Sequence, residues 1–211
     1  ILGHAEALSE GALPPSSDTF YVIHDEAQRL NRLVEDLRIL SLSDAGELPL
    51  SRTFVSLEEL LERVAAAYTP HARKKNIALQ VHLSPSLPDV NIDQDRMMQV
   101  LGNLLDNALR YTPVDGCITL SAGCSSDHVE LSVQDSGPGI PAEDFPFVFD
   151  RFYRADPSRT GAGSGLGLAI VRDLADSLHG RAFAENVEGD GARVGVILPT
   201  AASVRSPGTA S

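Results

Sequence analysis

The sequence predicts an α+β chain, an antiparallel helical hairpin followed by a two-layer α/β sandwich, on three observations. One apolar stripe at helical spacing runs through residues 18–43. Beyond residue 56, helical and alternating periods follow one another in the order α-β-α-β-β. After an irregular stretch rich in Gly, Pro and Asp at 135–164, the order resumes as α-β-β. Three helices and about five strands pack most economically with the helices on one face of a mixed sheet.

In the first element, Ile23, Ala27, Leu30, Val34, Leu37 and Ser41 recur at alternating spacings of four and three, and Leu33 and Leu40 widen the stripe. Such a seam needs another helix against it. Ser17 or Asp18 can cap its start. Residues 1–11 read as the tail of a preceding helix, and the stretch from Gly11 to Pro15 makes the reversal. Two antiparallel helices alone bury too little, so a four-helix bundle in a dimer is expected. The domains predicted are a helical hairpin at 1–44, a linker at 45–55, a second domain at 56–199 and a disordered tail at 200–211. The chain opens on Ile1 rather than Met, and it is expected to be a piece of a longer protein.

The second domain starts at Ser56-Leu57-Glu58-Glu59, a capping box opening a helix to about Tyr68. Ile77, Leu79, Val81 and Leu83 alternate as a strand. Asp93 caps a helix to about Tyr111. Ile118, Leu120 and Ala122 face Val129, Leu131 and Val133 across a Ser-Ser-Asp turn, a hairpin. A helix at about 165–178 and strands near 181–187 and 192–198 complete it. An irregular segment near 30 residues long is unusual in a compact domain, and it means either a wrong assignment of elements or a functional lid.

Composition narrows the function. Of the 211 residues, 17 are Lys or Arg and 29 are Asp or Glu, so the net charge is 17 − 29 = −12. That argues against binding nucleic acid or an anionic membrane by general charge. Two cysteines without a Cys/His cluster exclude a disulfide framework and a zinc module. No apolar run approaches the ~20 residues that span a bilayer.

Four features carry chemistry. Asn103, Asn107, Arg110 and Tyr111 are spaced so that they share one helix face, which is either a solvated face or a polar site. Amide oxygens are hard ligands suited to Mg²⁺, and Arg110 can neutralise phosphate. Asp135-Ser136-Gly137-Pro138-Gly139-Ile140 follows a strand directly. It is a plain turn or a carboxylate beside backbone that a ligand approaches closely, able to accept from an exocyclic amine. Phe149-Asp150-Arg151-Phe152-Tyr153-Arg154 offers Phe149 and Phe152 as apolar anchors for a long loop, with Arg151 and Arg154 for phosphate or a protein partner. Gly161-Ala162-Gly163-Ser164-Gly165-Leu166-Gly167 leads into a helix, either as a hinge or as an anion site on backbone N–H groups. No Gly-Lys-Ser/Thr follows it, so it is not a Walker loop.

In this order the four features resemble the ATP-binding domain of the sensor histidine kinases, in the superfamily shared with gyrase, MutL and the heat-shock chaperone ATPases. The likeness covers about residues 56–199, and the upstream hairpin resembles part of the kinases' dimerisation and phosphotransfer domain. The resemblance implies ATP and Mg²⁺ as cofactors. It implies Asn107 as the metal ligand, with Asn103 and Arg110 catalytic beside the phosphates. Tyr111 then packs on adenine or ribose, and Asp135 accepts the adenine amine with Gly137, Gly139 and Ile140 beneath the base. Arg151, Gly163, Ser164, Gly165, Leu166 and Gly167 complete the cofactor site, and 141–163 forms the lid. The superfamily's hydrolases carry a Glu four residues before the metal Asn. Asn103 stands there and cannot accept a proton, which favours transfer to a protein over attack by water.

The implied function is an autokinase that phosphorylates a histidine and passes the phosphate to an aspartate of a response-regulator receiver. Its implied setting is a homodimer joined through the hairpin, cytoplasmic, in a protein anchored in the inner or plasma membrane. The family's acceptor motif is absent, and the acceptor His is expected upstream of Ile1. His24 lies on the second helix without that motif. The alternatives are a degenerate kinase that binds nucleotide and acts as a scaffold or regulator phosphatase, and a serine kinase of the anti-sigma type, which lacks the long seam helix.

Overall fold

The computed structural model describes residues 6–8, 11, 12, 14, 16–154, 164–187 and 191–200. They belong to two compact units, 1–46 and 47–211.

In the first unit residues 6–8 are helical, and α1 runs over Ser17–Asp44. Its cap is Ser16, one residue before the two expected: the hydroxyl accepts from Thr19 N at 3.2 Å. Asp18 adds a negative charge to the first turn, where the helix dipole favours it. The predicted seam is present and open. Leu30, Val34 and Leu37 stand 47–64% exposed.

The second unit contains β1 (Arg52–Val55), α2 (Leu57–Lys74), β2 (Ala78–Leu83), β3 (Val90–Asp93), α3 (Gln94–Tyr111), β4 (Cys117–Cys124), β5 (His128–Asp135), α4 (Gly167–Ser177), β6 (Arg181–Asn186) and β7 (Ala192–Pro199), with a short 3-10 turn at Phe145–Phe147. Five strands form one sheet in the order β2-β4-β5-β7-β6. The β2–β4 pair is parallel and the others are antiparallel. Cross-strand partners share a face, so Leu120, Val133 and Val194 line one side with Ala122, Leu131 and Val196. All are buried, under Leu60, Leu61 and Val64 of α2, Leu101, Leu104 and Leu105 of α3, and Ile170 and Leu174 of α4. The opposite face is polar. Arg193 there bonds Ser132, Glu130 and Glu185 and lies 5.3 Å over the Phe183 ring.

Two expectations need correction. The segment 45–55, expected as a linker, supplies β1, which pairs antiparallel with β3 as a separate two-stranded ladder. Neither strand exceeds four residues, too short to show a period. Only the serine half of the capping box is present among the described residues: Ser56 Oγ accepts from Glu59 N at 3.3 Å and caps α2. The helix passes the expected end at Tyr68 and continues to Lys74 through Pro70. Pro70 deprives the Ala66 carbonyl of its helical donor. Beyond it Ala72 is buried, and Tyr68 donates to Gly102 O at 3.2 Å, so packing carries the last turn.

Asp93 joins these parts. One carboxylate oxygen accepts from Arg96 N at 3.1 Å and caps α3; the other accepts from Ser51 N at 2.7 Å at the start of β1. Replacing Asp93 by Ala removes the cap and strands a backbone N–H, a loss of about 2 kcal/mol. Urea unfolding should show that loss for Asp93→Ala and a smaller one for Asp93→Asn, which keeps an acceptor for the cap but turns an amide N–H toward Ser51 N.

Candidate functional site

The site is laid out along α3. One face of this helix, with Met97, Leu101, Leu104, Leu105 and Ala108, is buried in the core. The other carries Asn103, Asn107, Arg110 and Tyr111, of which only Arg110 is fully exposed. Asn103 Nδ2 donates to Gly167 O at 3.2 Å, tying α3 to the first residue of α4. The Asn107 side chain, half-buried, takes no hydrogen bond among the described residues. Tyr111 lies at the far end, eight residues on, or ~12 Å along the axis.

Tyr111 meets the second feature. A Cβ on Gly137 would fall 2.8 Å from Tyr111 O and 2.7 Å from Asp135 Oδ1, so only glycine fits. Asp135, at the end of β5, is 7% exposed. Its Oδ1 accepts from Gly137 N at 2.8 Å and Ala192 N at 3.5 Å. No bond to Oδ2 is formed among the described residues, which leaves it as an acceptor. Burial holds the Asp135 carboxyl above its ordinary pKa, and the two N–H donors oppose that shift. Gly139 has φ +75°, a left-handed conformation that favours glycine.

The third and fourth features meet each other. Phe152 N donates to Gly165 O at 2.9 Å, and Gly165 has φ +72°. A Cβ there would come within 2.7 Å of Phe152 backbone. Phe152 itself has φ +64°, and its ring is 64% exposed. The expectation that Phe152 anchors the loop by burial is therefore overturned; its backbone, not its ring, makes the contact. Arg151 turns its guanidinium to Asp173 of α4 at 2.8 Å, and Arg172 bonds the same carboxylate at 3.3 Å. Tyr153 donates to Asp144 at 2.6 Å, and that bond pushes the phenol pKa up to about 12. Ser164 Oγ accepts from Leu166 N at 3.2 Å, and Leu166 is buried. No side chain among the described residues caps α4. Gly163 lies outside the described residues.

The structure thus brings Asn103 to Gly167, Tyr111 and Asp135 to Gly137, and Phe152 to Gly165. Sequence reasoning missed Asp144, whose partner Tyr153 lies in the irregular stretch without a period, and Asp173, Asn186 and Gly191, whose partners are distant in the chain. Asn186 bonds Ile140, and a Cβ at Gly191 would fall 1.9 Å from Asp135 O. Two histidines lie outside these features. At the β4–β5 turn, Ser125 Oγ lies 2.9 Å from His128 Nδ1 and 3.3 Å from Nε2, and Asp127 Oδ1 lies 3.0 Å from Nδ1, so hydroxyl and carboxylate meet at the same ring nitrogen. His24 is exposed on α1 and bonds Gln28 at 2.9 Å.

The raised pKa of Asp135 has a sign. A carboxyl whose pKa rises on folding stabilises the fold below its unfolded value, near 3.8, and loses that contribution as pH climbs through the folded value. At neutral pH the buried charge therefore costs stability. Asp135→Asn keeps Oδ1 for both N–H donors and removes the charge. Urea unfolding over a pH series should show the variant gaining on the wild type as pH rises, and a gap that narrows instead would refute this account.

The family described as histidine kinase-, DNA gyrase B-, and HSP90-like ATPase matches residues 92–202, just over half of the chain. The signal transduction histidine-protein kinase BaeS of Escherichia coli (strain K12) is 37% identical over 201 residues, covering 94% of this chain and 43% of BaeS. The chain spans less than half the length of the curated relatives it matches. The histidine kinase AdeS of Acinetobacter baumannii superposes with a TM-score of 0.79 at 28% identity, covering 95% of this chain and 93% of that one. The histidine kinase ThkA, solved in complex with the response regulator protein TrrA, gives 0.71 at 27% identity over 94% of this chain and 56% of that one. The chain belongs to the histidine kinase-, DNA gyrase B- and HSP90-like ATPase family, and the relatives it is similar to are histidine kinases.

Proposed function

We propose that this chain is the core of a protein-histidine autokinase that binds Mg·ATP and passes the phosphate on to an aspartate of a response-regulator receiver domain. The observation that carries the reading is Asn103. It stands beside the first turn of α4 and offers an amide, bonded to Gly167 O, where a hydrolase would need a carboxylate to activate water. The γ-phosphoryl is kept for a histidine nitrogen, which bonds to phosphorus as the bond to the β-phosphate oxygen breaks and ADP leaves.

In this reading Asp135 Oδ2 accepts from the adenine amine, over the backbone of Gly137, Gly139 and Ile140, and Tyr111 packs on the base or ribose. The phosphates lie toward α4, whose N-terminal N–H groups have no side-chain cap among the described residues. Packing does not require glycine at 167: a Cβ there would make only ordinary contact with Asn103 at 3.7 Å. Close approach by a ligand gives the glycine a purpose. Asn107, without a bond of its own among the described residues, supplies the metal ligand, and Mg²⁺ there neutralises phosphate charge. Arg110 adds a positive charge on the same face.

The exposed seam of α1 supports a homodimer whose helices form a four-helix bundle. Among the described residues no helix is long and apolar enough to cross a membrane. We place this portion in the cytoplasm, without contact to membrane or nucleic acid, as part of a longer, membrane-anchored protein.

The test is γ-labelled ATP with Mg²⁺ on the full-length protein and on this chain. Acid-labile, base-stable label on the full-length protein, chased onto a receiver domain, is the expected result. Acid-labile label on the short chain would point to His24, and acid-stable label would overturn the histidine acceptor. Asn107→Ala and Asp135→Asn should each cut labelling at least about tenfold while leaving the far-UV circular dichroism unchanged, since each removes a contact to a charged or metal-bound group worth roughly 1.5–3 kcal/mol.

A further inference from the structure

We propose that Asn186 is a positioning residue for base recognition: its amide holds the backbone of Ile140, and through it the Gly137–Ile140 turn, at a fixed distance from Asp135. The proposal rests on the reading of Asp135 as the acceptor of the adenine amine.

Asn186 is the last residue of β6. Its Oδ1 accepts from Ile140 N at 2.7 Å, and its Nδ2 donates to Ile140 O at 2.9 Å. The side chain thus closes both backbone groups of one residue, as a neighbouring strand would. Ile140 lies outside any strand, so these two bonds do the work that a ladder does elsewhere. The fit is close. A Cβ on Gly139 would meet Asn186 Oδ1 at 2.9 Å.

The chain just beyond Asn186 reaches the other half of the same site. Val187 N donates to Gly191 O at 3.1 Å, closing the β6–β7 connection on itself. Gly191 backbone presses on the Asp135 carbonyl, and Ala192 N reaches Asp135 Oδ1. One connection therefore bears on Asp135 and on the turn after it together. Asn186 touches no substrate in this arrangement. It sets where the backbone of 137–140 stands relative to the free Asp135 oxygen.

That spacing decides discrimination between bases. Adenine presents an amine donor to the carboxylate, whereas guanine presents a carbonyl oxygen at the same ring position. Rejection of guanine requires that the base cannot slide away from the carboxylate, and a loosened turn permits sliding.

The experiment measures dissociation constants for Mg·ATP and Mg·GTP by calorimetry on the wild type, Asn186→Ala, Gly139→Ala and Asp135→Asn, with the unfolding midpoint of each without nucleotide. Asn186→Ala should weaken ATP about tenfold and GTP far less, so the preference for ATP falls by nearly that factor. Gly139→Ala, which displaces the amide, should reproduce the fall. Equal weakening of ATP and GTP would mean general loosening and would overturn the proposal. An unchanged preference in both variants, with the preference lost in Asp135→Asn, would overturn it while leaving the reading of Asp135 intact. A preference that survives Asp135→Asn would instead overturn that reading.

Discussion

Helix α3 has to face a dry core and a polar site at once, and the rest of the second unit serves that division. Each residue advances a helix by about 100°, so a rotation by one position would put Asn103 or Asn107 into the core and a leucine into the site. Burial of Met97, Val100, Leu101 and Leu105, each fully closed from solvent, sets the rotation. The ends are fixed separately. Asp93 caps the start, while Lys75 Nζ donates to Leu109 O at 2.8 Å and Thr112 Oγ1 to Ala108 O at 2.7 Å at the finish. With both ends bound, the polar face keeps its angle, and the ~12 Å between Asn103 and Tyr111 becomes a fixed separation along it.

The segment from Asp144 to Tyr153 is fastened with comparable economy. The Tyr153 phenol, its pKa pushed up to about 12, remains a donor to Asp144 at every working pH. Arg151 and Arg172 share the buried Asp173 carboxylate, and Arg172 also lies 3.6 Å from Asp150, so two cations meet two carboxylates where the segment meets α4. Between these pairs Phe152 takes a left-handed backbone, which costs a bulky residue on the order of 1–3 kcal/mol. The bond from Phe152 N to Gly165 O and the pairs on either side offset that cost. The strain therefore sits where the aromatic loop joins the glycine-led helix.

What was legible in the sequence was local. The α3 face, the β4–β5 hairpin and the order of the four features all declare themselves within windows of about ten residues, where a period of 2 or 3.6 is visible. β1 and β3 were not legible, because four residues show no period and their pairing spans some forty positions. The course of α2 beyond Tyr68 was hidden by Pro70, a local signal overridden by packing. Phe152 shows the converse limit: its apolar side chain suggested burial, but only the backbone geometry shows that the ring points outward. Asn186 and Asp173 lie 46 and 22 positions from their partners and resemble ordinary surface residues until the fold assembles them.

The glycines sort by the same reasoning. Those at 137 and 165 are demanded by the protein itself, since a Cβ at either would strike backbone within 2.8 Å. Their presence would be required whether or not anything binds. Gly167 is different. It begins a helix, where glycine is costlier than alanine by up to about 1 kcal/mol, and the room around it would admit a methyl group. The protein gains no packing from leaving that space empty. Asn103, the residue bordering the space, holds its amide there by bonding Gly167 O, so the gap and the amide are maintained together. An uncapped helix start, a side chain withheld and an amide fixed beside it keep the first backbone N–H groups of α4 clear of side chains among the described residues, and helix packing alone gives no reason for that.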